Sequence, residues 1–111
     1  MEDCIFCKIV RGEIPATVIY ESPDALAFED VNPMAPVHAV VVPKRHVATL
    51  MDVTDGMMEG LMAAVRQVAT IKGIADKGFR TVINCNEEGG QVVFHLHIHV
   101  LGGRKLSDDM G

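Results

Sequence analysis

No apolar run in this chain approaches the ~20 residues needed to cross a membrane, which excludes a helical membrane protein. No basic-then-apolar leader opens it, so the cytoplasm is the expected compartment. Cysteine is scarce, with three in 111 residues. An odd count without a leader points to a reducing environment rather than a disulfide framework. Basic clusters are nearly missing: only Lys44-Arg45 and Arg104-Lys105 adjoin, and the formal net charge is −5. Long nucleic acids bind through phosphate neutralisation and are therefore excluded as partners. A single nucleotide is not, because it needs only a few local donors. Also absent are a Gly-x-x-x-x-Gly-Lys-Ser/Thr phosphate loop and a Gly-x-Gly-x-x-Gly fingerprint. There is no internal repeat, low-complexity tract or long linker. What remains is 49% hydrophobic, enough for one globular domain, expected over residues 1–111.

Ile5, Phe6, Ile9 and Val10 stand at helical spacing, so residues 4–11 read as a short helix ended by Gly12 and Pro15. Thr17–Glu21 and Ala25–Glu29 read as strands around the turn Ser22-Pro23-Asp24, a hairpin. A proline-punctuated loop follows. Residues 38–42 form a third, buried strand, stopped by Pro43. Residues 55–76 form the one long helix, with Thr54 as N-cap and Asp55 in the first turn. Met57, Leu61, Ala64, Val65, Val68 and Ile71 trace its apolar stripe, and Gly73 and Gly78 weaken and end it. Phe79–Asn84 and Val92–Leu101 are the last two strands, separated by a polar loop. Strand–helix–strand alternation does not recur, so an antiparallel α+β sheet fits better than a doubly wound one.

Histidines alternate with aliphatic residues in His95-Leu96-His97-Ile98-His99-Val100-Leu101. Side chains in a strand alternate faces, so three imidazoles share one face over about 14 Å. Core strands gain nothing from such a row, because each imidazole needs hydrogen-bond partners. The row suits a metal, a phosphate or a group to be attacked.

Cys4 and Cys7 form a Cys-x-x-Cys pair, whose thiolates can face one metal. Candidate completing ligands are His46 and one member of the row, giving a closed, structural site. The plain alternative is two unconnected thiols on a helix face. A redox pair is expected after a strand in a βαβ unit, which this terminus lacks. Cys85 reads as an inert, partly buried thiol. Before the row lie Asn84 and the loop Asn86-Glu87-Glu88-Gly89-Gly90-Gln91, whose paired glycines let backbone N–H groups approach an anion.

Taken together, these segments resemble the histidine triad (HIT) family. The histidine row is similar to its signature, and Cys4-Ile5-Phe6-Cys7-Lys8-Ile9-Val10-Arg11-Gly12-Glu13-Ile14-Pro15-Ala16 to the opening of its Hint branch. Asp30 with Pro33, Ala35, Pro36 and His38, then Val42-Pro43-Lys44-Arg45-His46, resembles its middle. Gly89-Gly90-Gln91 and Leu101-Gly102-Gly103-Arg104 resemble its end.

The resemblance implies an α+β fold: an antiparallel five-stranded sheet with one long and one short N-terminal helix, joined to a second copy across a dimer. It implies a phosphoramidase that cleaves the P–N bond of purine nucleoside 5′-phosphoramidates through a nucleotidyl-histidine. His97 would be the nucleophile, His99 would bind phosphate oxygens and His38 would support the nucleophile. Asn84 and Gly90, Gln91 and Val92 would hold the phosphate and leaving group. Asp30 would bind the ribose, with Phe6, Ile9, Ile14, Phe28 and Val31 enclosing the base. Cys4, Cys7, His46 and His95 would bind structural zinc, and no metal is needed at phosphorus.

Val92 stands where the Hint pattern commonly has serine, and the tail Lys105–Gly111 lacks the aromatic residue of some members. The competing functions are a dinucleoside polyphosphate hydrolase and a nucleotide- or zinc-binding interaction protein with weak catalysis.

Overall fold

The computed structural model describes residues 3–109; residues 1, 2, 110 and 111, the ends of the expected domain and of its tail, lie outside the described residues. The elements are α1 (Ile5–Val10), β1 (Val18–Glu21), β2 (Ala25–Glu29), β3 (Val37–Pro43), α2 (Asp55–Ile71), β4 (Phe79–Val82) and β5 (Ile98–Gly102). The strands form one five-stranded sheet in the order β1-β2-β3-β5-β4, and every neighbouring pair is antiparallel. This is the expected antiparallel α+β architecture. Among the described residues, no helix is long and apolar enough to cross a membrane.

The period of two along the strands divides the sheet into two working faces. Ala25, Ala27, Ala39, Val41, Ile98 and Val100 meet Leu61, Ala64, Val65, Val68 and Ala69 of α2 in the main core. Alanines in the inner strands let the helix approach closely. On the opposite face, Leu26, Phe28, Val40 and Val42 lie under Phe6, Ile9 and Val10 of α1. His99 pairs with Val40 across the β3–β5 ladder, so it shares this second face. The long helix therefore stabilises the sheet from behind, and the histidine row faces the short helix.

Several boundaries differ from the sequence expectation, each for a local reason. The long helix ends at Ile71, not residue 76, because Gly73 takes a left-handed turn (φ 72°) and the Ile74 N–H bonds back to Ala69 O. Ile71, expected in the buried stripe, is 53% exposed in that last turn. β4 stops at Val82, two residues short of Asn84. Leu50–Asp52 form a 3-10 turn that the periodicity does not show, closed by a capping box between Thr49 and Asp52. Pro43 is the last residue of β3 and not the first beyond it.

The largest difference concerns the last strand, expected from Val92 but regular only from Ile98. The β3–β5 ladder ends at Val41 opposite Ile98. Beyond it, Pro43 has no N–H to donate, and its carbonyl is taken by the His95 ring at 2.9 Å. The chain is held instead by Leu96 N–H bonding to Val47 O at 2.8 Å. Alternation persists through this irregular stretch: Leu96 is fully buried in the α2-side core, while His95 and His97 face the other way onto Phe6.

Leu61 is 1% exposed at the centre of the α2 interface. Leu61→Ala should cost about 2–5 kcal/mol, through lost transfer energy plus the cavity left behind. Chemical denaturation would check it, and a loss below about 1 kcal/mol would contradict this packing.

Candidate functional site

Cys4 is the N-cap of α1, and its Sγ accepts from the Cys7 N–H at 3.4 Å. One helical turn thus places both sulfurs side by side. His46, on the loop after β3, and His95 close the group. Its Nδ1 atoms lie 3.2 Å apart, with Cys4 Sγ 3.3 Å from His95 Nδ1 and Cys7 Sγ 3.3 Å from His46 Nδ1. Four donors lie within 4.8 Å of one another. Tetrahedral zinc with bonds of about 2.0–2.3 Å sets its ligand atoms about 3.3–3.8 Å apart, so the cluster has the spacing and donor types for that ion.

The His95 tautomer also fits a ligand. Its Nε2 lies 2.9 Å from the Pro43 carbonyl, an acceptor, so the proton sits there and the Nδ1 lone pair faces the thiols. Burial, with the nearby imidazoles adding to it, lowers the His95 pKa against the Pro43 hydrogen bond, which keeps the ring neutral. Burial and the neighbouring Cys4 push the Cys7 thiol up. A bound cation would reverse that preference and hold the thiolate.

The other two histidines of the row differ in their partners. His97 Nδ1 lies 2.8 Å from the main-chain carbonyl of His95. A carbonyl only accepts, so Nδ1 bears the proton and Nε2 presents a lone pair. His38 Nδ1 accepts from the Met34 N–H at 3.0 Å, which places its proton on Nε2. That proton faces His99 Nδ1 at 2.9 Å and the Asp30 carboxylate at 3.3 Å. His99 therefore carries its own proton on Nε2. Two neighbouring rings, with centroids 5.0 Å apart, present opposite character: a lone pair on His97 and an N–H on His99.

Asp30, His38 and His99 also have metal-like spacing. The Met34 N–H on His38 Nδ1 argues for a hydrogen-bond relay there, because a metal on Nε2 would require the opposite tautomer.

A cleft of about 640 Å³ opens beside this pair. All six residues expected around ribose and base line it: Asp30, Phe6, Ile9, Ile14, Phe28 and Val31. Val31 is 90% exposed, so it forms the outer rim. Phe6 links cleft and chemistry, meeting Phe28 edge-on at 5.7 Å and His97 at 5.1 Å. Thr17, Glu29 and Val40 also line the cleft and carried no motif signal.

The loop before the row is arranged differently from expectation. The N–H groups of Gly90 and Gln91 do not face outward to an anion; they bond to Glu87 O and Asn86 O. The loop folds so tightly that a Cβ on Gly89 would lie 2.4 Å from Cys85 O, and Gly90 has φ 80°. Asn84 Nδ2 donates to Gly89 O at 2.7 Å. Gln91 is buried: its Nε2 donates to Ala48 O and Val93 O, and its Oε1 accepts from Asn86 N–H. Its side chain braces two loops, which spacing alone does not reveal. Val92, 88% exposed, is the part of the segment that meets solvent.

Comparison with known proteins bears on the family and the fold. The family described as HIT domain matches residues 11–106. An uncharacterized HIT-like protein of Synechococcus elongatus is 49% identical over 96% of this chain and 95% of its own. The purine nucleoside phosphoramidase of Escherichia coli is 38% identical over 95% of this chain and 91% of its own. The crystal structure of a HIT family hydrolase from Legionella pneumophila superposes with a TM-score of 0.93 at 43% identity, covering 98% of this chain and all of that one.

Burial, then the charges of His97 and His38, push His99 down to about 4 from 6.5, with Asp30 opposing. In the unfolded chain the same ring takes its proton near its ordinary value. Its contribution to stability is thus full above pH 6.5 and is lost as pH falls from 6.5 through about 4. His99→Gln should flatten this part of the stability profile in urea unfolding. An unchanged slope in the variant would show that His99 does not carry it.

Proposed function

The chain belongs to the HIT domain family, and from that premise we propose that it cleaves the P–N bond of purine nucleoside 5′-phosphoramidates. Family membership and the likeness to HIT family hydrolases support hydrolysis in general. The likeness to the Escherichia coli phosphoramidase favours this substrate class. The observation that carries the reading is the opposed pair of tautomers at the edge of the cleft.

In the proposed mechanism, base and ribose occupy the cleft, with Asp30 on the ribose hydroxyls. The Nε2 lone pair of His97 attacks the α-phosphorus. The P–N bond breaks, the amine leaves with a proton from solvent, and the nucleotidyl group stays on His97. His99 Nε2–H donates to a phosphate oxygen as negative charge grows. His38 holds His99 in that tautomer, and the His95 carbonyl does the same for His97. Water then hydrolyses the intermediate. The Asn84–Val92 loop shapes the leaving-group side, with Val92 as its exposed wall.

Zinc is the ion proposed for Cys4, Cys7, His46 and His95. Four protein donors make a closed site whose part is structural. The dimer is proposed to form along β4, which pairs only with β5 among the described residues. The proposed compartment is the cytoplasm, and one domain is proposed over the whole chain.

His97→Ala should lower turnover of adenosine 5′-phosphoramidate by a factor on the order of 10³ or more, while AMP binding survives. Undiminished turnover would sink the mechanism. Parallel kinetics on a dinucleoside polyphosphate should show the phosphoramidate preferred, and the reverse order would favour the polyphosphate hydrolase. Metal analysis should find about one zinc per chain. Metal-free protein of unchanged thermal stability would refute that site.

A further inference from the structure

We propose that Cys4 and Cys7 are an oxidisable control point whose conversion to a disulfide releases the metal and weakens the nucleotide cleft. The proposal rests on the nucleotide and zinc reading above and adds a regulatory input to it. Three features of the structure lead to it.

The first is access. Cys4 is half-buried and, with His46, lines a second cleft of about 420 Å³ that also meets Asp3, Ile5 and Val92. A small peroxide reaches Cys4 from there, whereas Cys7 is 6% exposed and lies behind it.

The second is geometry. Both sulfurs belong to one helical turn, the Cys7 N–H points at Cys4 Sγ, and Cys4 stands in front of the buried Cys7. The pair therefore has an attacking and a resolving member. The Cys4 thiolate attacks the peroxide O–O bond, giving the sulfenic acid and, with a proton from solvent, water. The Cys7 thiolate then attacks the Cys4 sulfur and expels the hydroxyl as a second water with another solvent proton. Two electrons pass from sulfur to peroxide. The site loses both anionic donors and keeps two neutral imidazoles, too few to retain a structural zinc.

The third is linkage to the nucleotide site. α1 has six residues, too short to stand as a helix without tertiary anchors, and its N-cap is a metal ligand. Phe6, between the two cysteines, walls the cleft and touches the rings of His95 and His97. His95 in turn supplies the carbonyl that fixes the His97 tautomer. Releasing the sulfurs frees the element that carries the cleft wall.

The test uses the full chain with Cys85→Ser, which removes the thiol outside the pair, loaded with zinc and reduced. It is titrated with hydrogen peroxide. Intact mass and thiol labelling follow the disulfide, a chromogenic chelator follows zinc, and calorimetry follows AMP binding. The expected result is loss of about 2 Da per chain and release of about one zinc per disulfide, with AMP affinity falling about tenfold or more. Thiol reductant plus zinc should restore all three. Disulfide formation with zinc retained, or zinc release with AMP affinity unchanged, would overturn the proposal. Oxidation that stops at sulfinic acid without a disulfide would overturn it as well. Reduced, zinc-loaded protein that binds no AMP would count against the nucleotide reading and deprive the switch of its output. Reduced protein without zinc that binds AMP normally would overturn the switch alone.

Discussion

One imidazole holds the functional half of this protein together. His95 is fully buried, and both ring nitrogens and its main-chain oxygen have partners. Nε2–H is spent on the Pro43 carbonyl, Nδ1 faces the thiol cluster, and the main-chain oxygen receives the His97 proton. A buried ring without those partners would be costly. Because these are present, the cysteine–histidine cluster on one side and the His97 tautomer on the other share a single residue. The regular ladder ends where this ring takes the carbonyl of Pro43, so the same contact also decides where β5 begins.

The rings of His97 and His99 are chemically alike and opposed in tautomer, and the difference lies in their neighbours. A carbonyl beside His97 Nδ1 forces the lone pair to Nε2. A backbone N–H at His38 starts a chain of donors that ends on His99. No ionised side chain is needed to set either tautomer. A neutral ring is the natural choice at the half-buried position of His99, where burial pushes it well below its ordinary value.

Much of this was legible in the sequence, for identifiable reasons. Alternation of period two placed the imidazoles on one side of the chain even where the strand is irregular. The Cys-x-x-Cys spacing placed two sulfurs on one turn, although only the resemblance singled out His95 as the fourth donor. The six cleft residues came from the same resemblance. What could not be read were choices made by tertiary contacts. Gln91 looks like an exposed loop residue, yet its amide joins the loops at Ala48 and Asn86. Gly90 looks like an anion-binding glycine, yet its N–H closes its own turn. The start of β5 and the exposure of Ile71 depend on a missing proline N–H and on a glycine two residues away.

The cleft wall comes from residues Ile5 to Val31 together with Val40, whereas the nitrogens proposed to react belong to His97 and His99 near the other end of the chain. On the proposed reading, recognition and reactivity are thus encoded in separate stretches that meet only in the folded state, with Phe6 at the join. For protein engineering this makes the molecule modular. If the proposed roles hold, base preference would be rewritten in the N-terminal third, by reshaping Ile9, Ile14 or Val31, while the C-terminal stretch that carries His97 and His99 is left as it is.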